Sequence, residues 1–202
     1  MKATILAAFF ALAPLCVAPA QETSRYDFSV GAGFTTALGD TGRYVNNGWN
    51  LGAGFGYNFS SYFGAVLDLN YNSMGLTGAQ LFNYGVSNGG LHVFSATVDP
   101  IVHLTPKLPV DVYVTGGGGL YRRAEAYSVP TLTAPPAYNP FFGFAPSGLV
   151  DYYSSVKPGI DAGIGLAFAS KWKGKFFVEA RYNRIIANYH TDYLPVTIGY
   201  RW

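Results

Sequence analysis

The sequence has a single cysteine, Cys16, only 12% charged residues, three histidines, and formal charges that nearly cancel. Beyond the N-terminus it also lacks any run of the roughly 18 apolar residues that would mark a membrane-spanning helix. Each shortage excludes a class. A near-neutral chain is not built to hold nucleic acid. His92, His103 and His190 are too scattered to supply a metal centre. One cysteine near the N-terminus leaves no disulfide framework and no cysteine metal site.

The first 20 residues explain where that cysteine goes. Lys2 supplies a positive start, Ile5 to Val17 an apolar core, and Ala18-Pro19-Ala20 a small-x-small cleavage site before Gln21. This pattern predicts a secretory signal peptide over residues 1–20. A lipoprotein signal would need a small residue before the cysteine, and Leu15 stands there. Cleavage after Ala20 removes Lys2, leaving 12 basic and 11 acidic side chains on a mature domain of residues 21–202.

Glycine (25) and aromatic residues (17%) are what the chain has in abundance. Between Trp49 and Phe59 they separate by face. Trp49, Leu51, Ala53, Phe55, Tyr57 and Phe59 fall on one side of an extended chain, and Asn50, Gly52, Gly54, Gly56 and Asn58 on the other. A soluble strand shows charged groups to water, whereas here small polar residues oppose bulky apolar ones. Such a strand has lipid outside and a lumen inside. A lipocalin-like soluble barrel would need a charged exterior that no face here provides.

The same alternation recurs along the chain. Strands are predicted at Tyr26–Phe34, Trp49–Phe59, Phe63–Asn72, His92–Val102, Val110 to about Arg122, Gly159–Phe168, Phe176–Arg184 and Leu194–Trp202. Pro100 lacks a ladder donor and is expected to disturb the register of the fourth. Gly116 to Gly119 are expected to let the fifth bend sharply. Long connections (35–48, 73–90, 123–148 and the stretch after Arg184) alternate with short ones. The fold class is therefore an all-β, eight-stranded antiparallel up-and-down transmembrane barrel, with both termini on the periplasmic side.

Val196, Ile198, Tyr200 and Trp202 form a V-x-I-x-Y-x-W ending that resembles the C-terminal signal of bacterial outer-membrane proteins. With the signal peptide, the eight strands and the segments at 161–168 and 177–182, the mature chain resembles the small outer-membrane β-barrel domain family, typified by the OmpA membrane domain and OmpX. The resemblance implies the outer membrane of a Gram-negative type bacterium. The implied partners are outer-membrane lipid including lipopolysaccharide and the insertion machinery. It names no extracellular ligand and implies no cofactor. No domain follows the barrel, so no peptidoglycan anchoring is expected.

Within the lumen, Asp68, Asp161, Glu179 and Arg181 are expected at middle depth, with Asp27 meeting Arg201 near the periplasmic end. Buried charges need partners, so these groups should form a paired network. Its plainest role is a structural plug, and a gate for small solutes is the alternative. Catalysis finds no support: His92 and Ser95 lie on opposite faces, and no histidine stands in a serine motif of a lipid A-modifying enzyme. The expected function is structural or surface interaction by a monomer. The Pro- and aromatic-rich segment 123–148 is the most individual part of the outer surface.

Overall fold

The computed structural model describes residues 25–128, 138–139, 143–144, 149–170 and 173–202. The elements are β1 (Tyr26–Ala37), α1 (Thr41–Tyr44), β2 (Val45–Asn58), β3 (Phe63–Leu76), α2 (Gly78–Tyr84), β4 (Asn88–His103), β5 (Val110–Ser128), β6 (Tyr138–Asn139), β7 (Gly143–Phe144), β8 (Leu149–Ala169), β9 (Lys175–Ile185) and β10 (Thr191–Arg201). Eight strands close into a barrel in the order β1-β10-β9-β8-β5-β4-β3-β2, and β6 pairs only with β7. No helix among the described residues is long and apolar enough to cross a membrane. The predicted signal peptide lies outside the described residues.

Pairing around the barrel links Gly119 to Thr97, Asp68, Gly54, Ser29, Arg201, Lys175 and Ala169 in turn. Ala169 then donates its backbone N–H to the carbonyl of Pro109. One circuit thus returns to β5 ten residues lower, a stagger that tilts the strands by roughly 40°. A barrel of this size is filled by its own side chains.

Burial follows the alternation and inverts that of a soluble protein. Leu51, Leu67, Val98, Ile164 and Ile198 point outward at 47–59% exposure, while Asn50, Asn72 and Asp99 point inward at 2%, 1% and 0%. Aromatic rings gather on the outer wall at the end bearing the termini. Phe28 stacks near Trp202 at 6.2 Å, Phe176 meets Tyr200 at 5.0 Å and Tyr26 meets Tyr57 at 5.3 Å. Towards the other end, Trp49 packs on Tyr71, whose hydroxyl hydrogen-bonds His92 Nδ1. Two aromatic girdles on an apolar wall are the signature of a strand barrel in lipid.

Several expectations are corrected. Pro100 does not shift the register: Val98 pairs with Gly118 and Ile101 with Thr115, on one continuous frame. Its missing donor is accommodated by an interruption of the β4–β5 ladder, where Thr115 donates its hydroxyl to the Pro100 carbonyl instead. Gly116 to Gly119 stay in unbroken register with β8. They permit close approach: a Cβ at Gly117 would lie 2.2 Å from the Val98 carbonyl oxygen and 2.6 Å from Asp99 Oδ1.

The strands also run further than the sequence pattern predicts. Segments 73–76, 88–91 and 123–128 are strand rather than loop, and α1 and α2 occupy parts of the first two connections. The remainder of the predicted loop 123–148, apart from β6 and β7, lies outside the described residues. The connection after β9 is not long, because β10 begins at Thr191. Arg184 clamps that hairpin by donating from Nε and Nη2 to the two carboxylate oxygens of Asp192, at 2.8 and 3.2 Å.

Gly165 gives a local test of packing inside the lumen. A Cβ there would sit 2.2 Å from Cζ of Tyr113, a ring with no exposed surface. Gly165→Val is therefore expected to displace the ring and destabilise the barrel by about 1–3 kcal/mol. A urea titration in detergent micelles reads this directly, and an unchanged midpoint would contradict the placement of Tyr113.

Candidate functional site: the charged layer of the lumen

Strand period two sets the centre of the lumen. Glu179, Arg181 and Asn183 are consecutive inward positions of β9, and β3, β4 and β8 bring Asp68, Asp99 and Asp161 to the same depth. Arg181, 7% exposed, meets four carboxylates. Its Nη2 lies 2.9 Å from Asp68 and 2.7 Å from Glu179, and its Nη1 lies 2.6 Å from Asp99 and 3.6 Å from Asp161. Its Nε donates to Glu179 at 2.8 Å. A guanidinium can donate in several directions from one plane, which is why a single arginine can tie three strands to its own.

Neutral donors complete the layer. Tyr113 donates to Glu179 at 2.9 Å, Tyr121 to Asp161 at 3.1 Å and Thr97 to Asp99 at 2.8 Å. These contacts offset the desolvation of groups that would otherwise be costly in a low-dielectric interior.

Asp27 and Arg201 do not meet. Ser29 is the residue opposite Arg201, so Asp27 lies two residues beyond it along β1. Asn58 donates to Asp27 at 2.7 Å, while the Arg201 guanidinium lies 5.1 Å from the Tyr113 ring centre and 5.5 Å from that of Phe177. Near the same end, His103 Nδ1 and Asp111 Oδ2 are 2.6 Å apart, with Lys175 at 3.7 Å from the same oxygen. His92 is on the outer wall and Ser95 is buried in the lumen, as opposite faces require. No cluster of three acidic or histidine side chains among the described residues could hold a metal.

The charged layer lies between two apolar ones. Towards the loop end, Val45, Met74, Leu76, Leu91, Val93, Tyr121, Ile185 and Tyr193 pack into one buried cluster. Towards the termini, Ile101, Tyr113, Ala167 and Phe177 form a second. A cleft of about 620 Å³, counting open space at its mouth, runs beside Ser29, Gly31, Gly52 and Gly54 and faces Asp68, Glu179, Arg181 and Arg201. No residue of the loop-end cluster lines it.

Asp99 and the loop-end cluster are not among the lumen groups expected from the sequence. Both carried a signal. Met74 and Leu76 continue the inward series of Asp68, Asn70 and Asn72, and Leu91 and Val93 precede Ser95 and Thr97 in step.

A closed antiparallel barrel with aromatic girdles, an apolar wall and a charged, filled lumen defines a small transmembrane β-barrel. The chain belongs to the outer membrane protein beta-barrel domain family, whose sequence profile matches residues 5–201. It is an integral protein of the bacterial outer membrane. Among solved structures it is similar to Neisserial surface protein A, at 14% identity over 88% of this chain and 96% of that one, with a TM-score of 0.58. It is also similar to OprG of Pseudomonas aeruginosa, at 13% identity over 92% of this chain and 99% of that one, with a TM-score of 0.51. At such identities the likeness is one of fold. No curated protein sequence matches the chain significantly.

Proposed function

We propose that this protein is a non-enzymatic, monomeric barrel that holds an interaction surface above the outer membrane, with its lumen sealed. The observation that carries this is the unequal height of its wall. β4, β5 and β8 have 16, 19 and 21 residues, whereas β1, β9 and β10 have 12, 11 and 11. On that side the paired strands rise roughly 15–20 Å beyond the short ones. Transmembrane crossing needs only about 9–11 tilted residues, so the surplus serves something outside lipid. Tyr153 on β8, and Phe82 and Tyr84 on α2, are exposed at this end. Neisserial surface protein A, by its name, belongs to a cell surface.

In this arrangement the termini face the periplasm and lipopolysaccharide surrounds the upper wall. The insertion machinery reads Val196, Ile198, Tyr200 and Trp202. A closed barrel offers no free strand edge for self-association, which favours the monomer.

The predicted mature chain has no cysteine, so orientation can be read with single introduced thiols. Tyr153→Cys should react with a membrane-impermeant maleimide on intact cells, and Lys173→Cys only after the outer membrane is permeabilised. The opposite pattern would overturn the proposal.

The cleft beside the glycines favours a second function, a narrow gated pore. Against it stands the apolar cluster across the loop end, since a conducting path needs water throughout. The refolded chain is therefore expected to be silent in a planar bilayer. Discrete conductance steps that change in Arg181→Ala would establish the pore instead.

A further inference from the structure

The lumen centre holds more negative groups than its one guanidinium can answer. We infer that Asp99 and Asp161 bind one proton between them, making the middle of the barrel a proton-binding site. This goes beyond the proposed surface role and does not depend on it.

The partners of each carboxyl oxygen point to it. Asp99 Oδ2 receives Thr97 and Arg181 Nη1, at 2.8 and 2.6 Å, and Asp161 Oδ2 receives the Tyr121 hydroxyl at 3.1 Å. The other oxygen of each residue, Oδ1, is buried and has no donor. Asp161 Oδ1 lies 3.6 Å from Arg181 Nη1, beyond hydrogen-bond distance. Asp99 is fully buried and Asp161 is 6% exposed, so these are carboxylates without access to bulk water. The two carboxyl groups converge on one nitrogen, Arg181 Nη1, at 2.6 and 3.6 Å, and both stand beside Gly117, which pairs with Asp161 and whose Cβ would lie 2.6 Å from Asp99 Oδ1. Two carboxylates cannot hydrogen-bond, because each only accepts. A carboxyl and a carboxylate can, and one proton makes one donor and satisfies both orphaned oxygens. Like charges so close in a low-dielectric site favour the same outcome.

The surrounding groups do not supply that proton's charge by other means. Arg181 is shared with Asp68 and Glu179, and Asn183, Tyr121 and Tyr193 are neutral neighbours. Arg201 lies over the rings of Tyr113 and Phe177. The pair is thus a place that calls for a small cation, and a proton is the one that needs no coordinating shell beyond these two carboxyl groups.

Infrared spectroscopy of the refolded chain at neutral pH in sodium-containing buffer tests this. A carbonyl band of protonated carboxylic acid is expected, shifted by carboxyl-13C aspartate labelling and by exchange into D2O. It should vanish in both Asp99→Asn and Asp161→Asn and persist in Glu179→Gln, each checked as folded by its heat-modifiable gel mobility. Should the asparagine variants fail to fold, labelled Asp68→Asn decides: a retained band supports the shared proton and a lost band overturns it. Absence of the band in the parent chain, a band insensitive to aspartate labelling, or one that persists in both asparagine variants overturns the inference. A band seen only when sodium is withdrawn also overturns it, in favour of an alkali cation.

Discussion

Arg181→Ala should lower the stability of the barrel by about 3–5 kcal/mol, the cost of removing one partner from a buried ion pair. The side chain ties Asp68, Asp99 and Glu179, from three strands, to one point. Its loss leaves buried carboxylates facing one another without the cation that offsets their desolvation. Urea unfolding in lipid vesicles, followed by tryptophan fluorescence, measures the change. Arg201→Ala is the control, because Arg201 faces the same cleft but makes ring contacts where Arg181 makes ion pairs. Its cost should be nearer 1 kcal/mol. Equal effects of the two variants would mean that the carboxylates do not rely on Arg181.

The second large effect lies on the opposite face. Ile164→Arg should cost about 2–4 kcal/mol, the penalty for a charge on the lipid face near the midplane. Ile164 is 55% exposed and Tyr153, higher on the same strand, is 61% exposed. In water the two positions would tolerate arginine alike. If hydrocarbon surrounds Ile164 and water surrounds Tyr153, Tyr153→Arg costs little while Ile164→Arg does not. Leu67→Arg should follow Ile164, since Leu67 also faces outward at mid-strand. The same unfolding titration decides, and cost-free substitution at Ile164 and Leu67 would place water outside the wall.

These effects are largely legible in the sequence, for a physical reason. Side chains of a strand alternate strictly, so a membrane barrel writes lipid and lumen into odd and even positions. Leu67 against Asp68 and Ile164 against Asp161 could be assigned to their sides from that alone. The same rule failed at the strand ends. Gly, Asn and Ser around Gly75 and Gly89 read as loop, although Met74, Leu76, Leu91 and Val93 kept the period and fill the lumen there. Composition there signals loop while periodicity signals strand, and the structure follows the periodicity.

The sequence by itself determined the wall: eight alternating strands, their outward face and the apolar, aromatic character of the barrel's exterior. Each of those follows from local order, because neighbours along a strand fix one another's side. Only the tertiary structure decided which inward groups meet, since that depends on the stagger between strands far apart in the chain. A stagger of ten residues per circuit brings Asp68, Asp99 and Asp161 to Arg181 and sets Asp27 two residues past Arg201. No local pattern encodes that number. It emerges when the last strand closes on the first.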